Sequence, residues 1–377
     1  MIPFNKPYLT GKENHYIYQA VNSGKISGNG IFTQKCHQFF ESKYGFLKCL
    51  LTTSCTDALE MAAILCDLQP DDEVIVPSYT FVSSANAFVL RGAKVVFADS
   101  CSVNPNIDAS KIESRITKKT KAIVVVHYAG IACDMELIRN IASTHGLYLI
   151  EDAAQAIDSY YKDKPLGSFG DFATFSFHET KNIIAGEGGM LVINNPQFIK
   201  RAEIIWEKGT NRAAFWRGEI DKYNWVDIGS SYLPSEVISA FLYAQLEHLE
   251  LIQSKRIKIW NTYFSGLKEL EGKGFIKLPN IPNFARHNAH MFYVVVENLI
   301  LRDQLISYLK NKGIYSVFHY ISLHKSPFYI SKYQEEILLP NSEYYSDTLL
   351  RLPLFYELSI EEVKYIVDSV KEFFFHK

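Results

Sequence analysis

The sequence predicts an α/β protein built on a large, mostly parallel sheet, with a smaller α/β domain toward its C-terminal end. Three observations lead there. From about residue 47 to 192, short apolar runs alternate with helical patterns, as in chains that lay helices over a parallel sheet. Several of those runs end in polar residues, which marks a ligand edge at the carboxyl ends of the strands. The length of 377 residues exceeds one ordinary domain and suits a large domain with a smaller partner.

"DEVIVPSYTF", "AKVVFAD", "TKAIVVVHYAG" and "LYLIEDAAQ" are apolar at nearly every position, the mark of strands covered on both faces. "TDALEMAAILCDL" and "MELIRNIASTHG" carry the helical period between them. The strand ends bring Ser78, Thr80, His127, Tyr128, Asp152 and Gln155 to one edge. Residues 193–265 hold a polar loop, "EKGTNRAAFWRGEIDKYNW", followed by the helical run "SEVISAFLYAQLEHLELIQSKRIKIWNTYFSGL". Beyond it "HMFYVVVEN", "RDQLISYLKNKGIYSVFHY" and "SIEEVKYIVDSVKEFF" alternate strand and helix again, and the prolines of "KLPNIPNF" mark the region near its start. The expected division is a large domain over 1–249 and a small one over 250–377, with the N-terminal helix as a candidate addition to the latter.

Composition narrows the function classes. The formal charge of −2 leaves no basic surface for nucleic acid. No window approaches the ~18 uninterrupted apolar residues of a membrane span, and the first residues show no charged segment followed by an apolar run, so a cytoplasmic location is expected. The six cysteines all precede residue 134 without CxxC pairs or zinc-like spacing, which predicts reduced thiols and no metal site. Aromatic residues reach 14%, a share that suits a broad subunit interface and extra core packing equally well.

The chemistry gathers around "FATFSFHETKNIIAGEGGML", where Lys181 stands between an apolar strand-like run and a glycine-rich turn, with Ser176 five residues before it. Asp152 ends a very apolar strand, where a carboxylate calls for a cation such as a protonated pyridine nitrogen. Gln155, on the same side if "AAQA" begins a helix, can meet a phenolate oxygen of the same ring. In "TTSCTDALEMA", Ser54, Cys55 and Thr56 open a helix, and the converging N–H groups and hydroxyls suit a phosphate or simply cap the helix. Ser176 can reach the same phosphate, and "GEGG" permits a sharp turn. A Schiff-base lysine, a phosphate cradle and a ring-facing carboxylate together describe a site for pyridoxal 5′-phosphate. Singly, each has an ordinary reading: Lys181 as a surface lysine, Asp152 as an ion-pair residue, Phe81 as core.

These motifs resemble the DegT/DnrJ/EryC1/StrS family of nucleotide-sugar aminotransferases. The likeness runs through "GKISGNGIFTQKCHQFFESKYG", "PSYTFVSSANAF", "VVHYAG", "EDAAQA", "SFHETKN", "GEGG" and "HYISLH". The resemblance implies the pyridoxal-phosphate-dependent transferase fold type I, like that of aspartate aminotransferase, and a homodimer whose active site is shared. It implies that Lys181 bonds to the cofactor and shuttles the proton, Asp152 holds the pyridinium, Gln155 meets the ring hydroxyl, and Phe81 stacks on the ring. Cys55, Thr56 and Ser176 would bind phosphate. Where many members carry "GxNxR", with an Asn that reaches the partner's phosphate, this chain reads "GSSYL", so Ser231 is the candidate replacement.

The details "SFHETKN", "EKGTNR", "DIGSSYL" and "AHMFYV" are similar to those of the branch acting on dTDP-4-keto-6-deoxy-D-glucose. That implies transfer from L-glutamate to C4 of the sugar with a galacto product, for bacterial surface glycans such as O-antigen. The gluco epimer, a C3 aminotransferase and a non-catalytic cofactor-binding regulator are the alternatives. Relatives with histidine in place of the lysine are dehydratases; Lys181 favours transamination. Lys208, Arg212 and Lys222 are candidates for the nucleotide's diphosphate, and His319 and Tyr320 for the sugar. A solvated loop and a packed strand end are the ordinary readings of the same residues.

Overall fold

The computed structural model describes residues 1–375. In chain order the first half forms α1 (Glu13–Asn22), α2 (Ile31–Tyr44), β1 (Lys48–Thr52), α3 (Cys55–Leu65), β2 (Glu73–Pro77), α4 (Ser83–Val89), β3 (Lys94–Ala98), α5 (Ala109–Ile112), β4 (Thr120–Val126) and α6 (Met135–His145). Next come β5 (Tyr148–Asp152), β6 (Tyr160–Tyr161), β7 (Lys164–Pro165), β8 (Phe172–Ser176), β9 (Gly189–Ile193), α7 (Ile199–Trp206), α8 (Arg212–Trp216) and α9 (Glu236–Leu246). The remainder is α10 (Leu249–Gly272), β10 (Ala285–Arg286), β11 (Phe292–Val295), α11 (Leu299–Asn311), α12 (Pro327–Tyr333), α13 (Pro340–Thr348), β12 (Leu349–Leu352) and α14 (Ile360–Phe375).

The seven-stranded sheet has the order β1-β9-β8-β5-β4-β2-β3. Only β9 runs against the others, pairing antiparallel with both β1 and β8. Successive strand residues point to opposite faces, so each continuous apolar run feeds two cores. Ile75, Ile123 and Val125 face a core with Phe40 of α2, Ile138 of α6 and Leu242 of α9. Val74, Val76 and Val124 face the other, with Leu59 of α3, Phe88 of α4 and Ile205 of α7. The mostly parallel sheet between two helical layers thus follows from strands that are apolar on both sides.

A third core lies in the C-terminal part, where the antiparallel pair β11–β12 packs with α10, α11 and α14 through Tyr263, Phe292, Leu305, Leu350 and Ile366. Helix α10 belongs to both regions: Leu249 and Ile252 enter the sheet core, Ile259 and Leu267 the C-terminal one. The N-terminal helix does not add to the small unit. Helix α1 packs on α9, and it is Ile2, ahead of that helix, that bridges to Ile314 and enters the C-terminal core.

Glu151 fixes the end of β5. Its buried carboxylate accepts N–H bonds from Gly167 (2.8 Å), Phe169 (2.6 Å) and Gly170 (2.8 Å) and lies 3.0 Å from His127 Nε2. Burial pushes Glu151 up, yet His127 and those N–H groups outweigh it and hold the carboxyl below its ordinary value. Its neighbour Asp152 is thereby presented from a rigid strand end.

Candidate active site

The carboxyl ends of β2, β4, β5 and β8 and the start of α3 surround a cavity of about 840 Å³, within the range of small-molecule sites. Ser54 is extended and its Oγ accepts the N–H of Asp57 (3.1 Å), which starts α3 at Cys55. The cavity wall there carries Ser54, Cys55 and Thr56, with Ser176 from the end of β8. Thr56 Oγ1 and Ser83 Oγ are 2.8 Å apart, so two hydroxyls stand beside the helix N-terminus. This end suits an anion.

Gly189 shows why the glycine turn matters. A Cβ there would lie 2.3 Å from the Ser54 carbonyl carbon and 2.4 Å from the Cys55 nitrogen, so only glycine lets β9 run against the start of α3. Gly189→Ala is expected to displace the start of α3, costing on the order of 1–3 kcal/mol. Thermal unfolding and cofactor titration would show a lower midpoint and weaker binding. Gly188→Ala, whose Cβ would meet side-chain carbons at 3.3–3.4 Å, is the milder control.

Asp152 is 5% exposed. Its Oδ2 accepts from Ser84 Oγ (2.6 Å) and its Oδ1 from the Ala154 N–H (3.1 Å), and no cation among the described residues forms an ion pair with it. Burial pushes the carboxyl up, while Ser84 and the Ala154 N–H pull it down. The expected helix at "AAQA" is absent: residues 153–158 form turns. Asp152 itself is the reason, because its side chain takes the N–H two residues on, the local bond that competes with helix formation. Gln155 nevertheless lines the cavity, its Oε1 accepting from the Ala129 N–H (2.6 Å) and its Nε2 donating to Tyr320 OH (3.1 Å).

Lys181 lines the same cavity from the loop between β8 and β9 and is partly buried. Burial pulls its amine below the ordinary lysine value, Cys55 and Asp152 oppose the shift, and Arg351 adds to it. Burial also pushes the Cys55 thiol well up, so near neutrality the thiol is uncharged and the effective opposition comes from Asp152. Phe81 is 56% exposed at the cavity wall, which removes its reading as core. His319 and Tyr320 complete the wall, their rings stacked 3.5 Å apart and His319 Nδ1 2.6 Å from Tyr128 OH.

Lys208, Arg212, Lys222 and Ser231 are not brought to this cavity. All four are exposed on the excursion between α7 and α9. Arg201 of α7 ties that excursion down through Asp227 (2.7 Å), and Gly209 sits hard against the Asp227 carbonyl. Arg212 lies over Trp216 and Tyr223, and Ser231 bridges Glu207. A run of charge in sequence did not reveal which side of the sheet the loop would be fastened to.

Other wall residues escaped the sequence reading. Ser84 and His290 lie inside the stretches "PSYTFVSSANAF" and "AHMFYV" without having been singled out, and Arg351 lies outside every such stretch; the signals were one arginine inside "LLRLPLF" and polar residues opening an apolar strand in "NAHMF". His290 Nδ1 donates to Asn182 Oδ1 (2.9 Å), and Asn182 Nδ2 donates to the Asn288 carbonyl (2.8 Å). Asn288 Nδ2 in turn donates to the carbonyls of Gln155 (2.9 Å) and Ile157 (2.7 Å). The residue after Lys181 and the turn after Asp152 are therefore joined through one C-terminal segment.

A family model, that of the DegT/DnrJ/EryC1/StrS aminotransferase family, matches residues 7–371. The chain belongs to it. Among DegT-family relatives, the GDP-perosamine synthase of Escherichia coli O157:H7 is 34% identical over 377 residues, covering 100% of this chain and 99% of that one. The structure of S. venezuelae DesV in complex with a ketimine intermediate superposes with a TM-score of 0.89 at 30% identity, covering 98% of each chain. A sugar aminotransferase of Streptococcus pneumoniae, Spr1654, in its PMP form gives 0.90 at 26% identity, covering 99% of each. The protein is thus a pyridoxal-phosphate-dependent aminotransferase of fold type I that uses an amino donor and nucleotide-linked keto sugars.

The residues present fit that cofactor. A buried carboxylate without a cationic partner awaits the ring nitrogen, a helix N-terminus with nearby hydroxyls can seat the phosphate, and a partly buried amine faces the space between them. Among the described residues no group of His, Cys, Asp or Glu could hold a metal, and no helix is long and apolar enough to cross a membrane.

Proposed function

We propose that the protein transfers the amino group of L-glutamate to C4 of dTDP-4-keto-6-deoxy-D-glucose, giving dTDP-4-amino-4,6-dideoxy-D-galactose for a bacterial surface glycan. The observation that carries the transfer is the meeting of Lys181 and Asp152 in one cavity whose remaining wall, with Tyr320, His319, His178 and Thr180, is rich in hydrogen-bonding groups suited to a sugar. The choice of C4 and of the galacto epimer is supported by the likeness of "SFHETKN" and "DIGSSYL" noted above.

In this reading Asp152, held by Ser84 and the Ala154 N–H, keeps a negative charge against the ring nitrogen. The first turn of α3 with Thr56, Ser83 and Ser176 would hold the phosphate, and Phe81 would provide an aromatic surface for the ring. When bound, the cofactor supplies the carbonyl for amine exchange and an electron sink for the carbanion. Lys181 Nζ takes the α-proton of glutamate and, in the second half-reaction, delivers a proton at C4 of the sugar. His319 and Tyr320 line the sugar end. Residues 1–249 carry the cofactor site and 250–377 close it from the other side.

A second copy of the chain is the natural place for the residues left outside. The excursion bearing Lys208, Arg212, Lys222 and Ser231 is exposed beside Trp216 and Trp225, 67% and 82% exposed, an apolar surface suited to a cytoplasmic homodimer in which these groups serve the partner's site.

Incubation with pyridoxal phosphate, L-glutamate and the keto sugar tests the reading through the H3–H4 proton coupling of the product. A small coupling is expected, from an axial amine. A large coupling would mean the gluco epimer, amination at C3 would move the site, and no absorbance change on adding glutamate would mean a non-catalytic binder.

A further inference from the structure

His290 stands just before β11 and lines the cavity that holds Lys181. Its tautomer is fixed by what Asn182 does with its amide. Asn182 Nδ2 donates to the backbone carbonyl of Asn288 (2.8 Å) and to Gln253 Oε1 (2.8 Å), so both of its N–H bonds are used, and the carbonyl, which can only accept, sets which way the amide faces. Asn182 Oδ1 therefore meets His290 Nδ1 at 2.9 Å as an acceptor, and Nδ1 must carry the hydrogen. Burial, with the charges of Lys181, Arg256 and Arg351 beside it, holds the imidazole well below its ordinary value, so the ring stays neutral and Nε2 keeps a bare lone pair. His319 shows the contrast: the Tyr128 hydroxyl beside its Nδ1 can give or take a hydrogen, which permits both tautomers. Among the described residues Nε2 of His290 takes no hydrogen bond, and it is reached from the cavity.

Lys181 is its complement. Among the described residues its Nζ has neither a hydrogen-bond acceptor nor an ion-pair partner, and the residue next to it in the chain, Asn182, is the one bonded to His290. A donor without an acceptor and an acceptor without a donor thus share one space. We infer that His290 Nε2 accepts a hydrogen bond from the Lys181 ammonium group whenever that amine is free of the cofactor, and so holds it in place between its two proton transfers. The carboxylates of the wall are committed elsewhere: Asp152 to Ser84 and the Ala154 N–H, and Glu187 to His178 at 3.7 Å. A carboxylate in the place of His290 would keep the lysine protonated and spoil it as a base. A neutral nitrogen of low basicity orients the ammonium and competes weakly for its proton. His290 is on this argument a positioning residue, acting through Lys181.

The inference rests on the proposed role of Lys181 as proton carrier, and the test reads the amine both with and without turnover. His290→Gln puts an amide oxygen where Nε2 stands; His290→Asn puts an amide N–H where Nδ1 stands and leaves the cavity without the acceptor. Holoenzyme of each variant and of the wild type would be mixed with L-glutamate, or, in the aminated form, with the nucleotide keto sugar, and the absorbance of bound cofactor followed. His290→Asn is expected to slow both half-reactions at saturating substrate by about 10–100-fold, the scale of one hydrogen bond to a charged group, with half-saturating concentrations unchanged. His290→Gln should react at the wild-type rate. In the cofactor-free protein, the pH dependence of covalent capture of added pyridoxal phosphate reads the Lys181 amine directly, because only its neutral form attacks the aldehyde. Cys55, Asp152 and Arg351 act on that amine in all three proteins. Losing the acceptor destabilises the ammonium, so the midpoint should fall in His290→Asn and stay in His290→Gln. A fast His290→Asn with a slow His290→Gln would leave His290 only its tie to Asn182 and overturn the inference. Loss confined to the sugar half-reaction would give Nε2 to a sugar hydroxyl, and equal slowing of both variants with an unmoved midpoint would mean a packing role; either overturns it. Wild-type holoenzyme inert to amino acids, with the midpoint moving as expected, would overturn the proposed function and leave the contact between His290 and Lys181 standing.

Discussion

Lys181→Ala is expected to bind pyridoxal phosphate without a covalent link and to turn over at least about 10²–10⁴-fold more slowly, the range by which a positioned proton-transfer group accelerates a reaction. Lys181 Nζ shares a cavity with Asp152 and Ser176, and among the described residues no other lysine lines that cavity to replace it. Burial lowers its pKa from the ordinary value, so more of the neutral amine is present near neutral pH than on a surface lysine. Lys181→Arg makes the companion: it keeps the cation and cannot give up the proton. Reduction with borohydride followed by mass analysis should fix cofactor to the wild type and to neither variant. Turnover at the wild-type rate by Lys181→Ala would sink the assignment.

Asp152→Asn is expected to keep the bond to Ser84 and lose the charge, and with it the cofactor's hold on the site. Breaking a buried charge pair costs about 3–5 kcal/mol, which is roughly 10²–10³-fold or more in retention of cofactor. Without cofactor the sign reverses. Burial raises the Asp152 carboxyl in the folded protein, so the native state holds more protons than the unfolded chain between the ordinary carboxylate value and the raised one. Stability of the cofactor-free wild type therefore falls as pH rises through that window, and Asp152→Asn removes the fall. Thermal unfolding across mildly acid pH, with and without cofactor, reads both effects. A variant that retains cofactor like the wild type and shows the same pH slope would mean that Asp152 is not the residue facing the ring.

How much of this was legible in the sequence depends on the kind of signal. Runs such as "AIVVV" are apolar throughout because both faces of the sheet are covered, so the strands and the helices between them announced themselves. Lys181 and Asp152 stood out as charges in apolar surroundings. Gln155 was placed by a helix that does not form, since the Asp152 side chain claims the N–H of Ala154. Arg351 and His290 come to the cavity from more than 100 residues further along the chain, through the β11–β12 pairing that no local pattern encodes. The cations of the 207–231 excursion were visible as charge, but its anchorage on Arg201 is a tertiary contact.

The bonds from Asn182 through Asn288 to the Gln155 and Ile157 carbonyls have a consequence for local unfolding. Opening the backbone on either side breaks buried bonds on the other, so the segments bearing the lysine and the ring-facing acid belong to one cooperative unit. An opening at the segment that bears the lysine therefore also loosens the turn that carries Gln155.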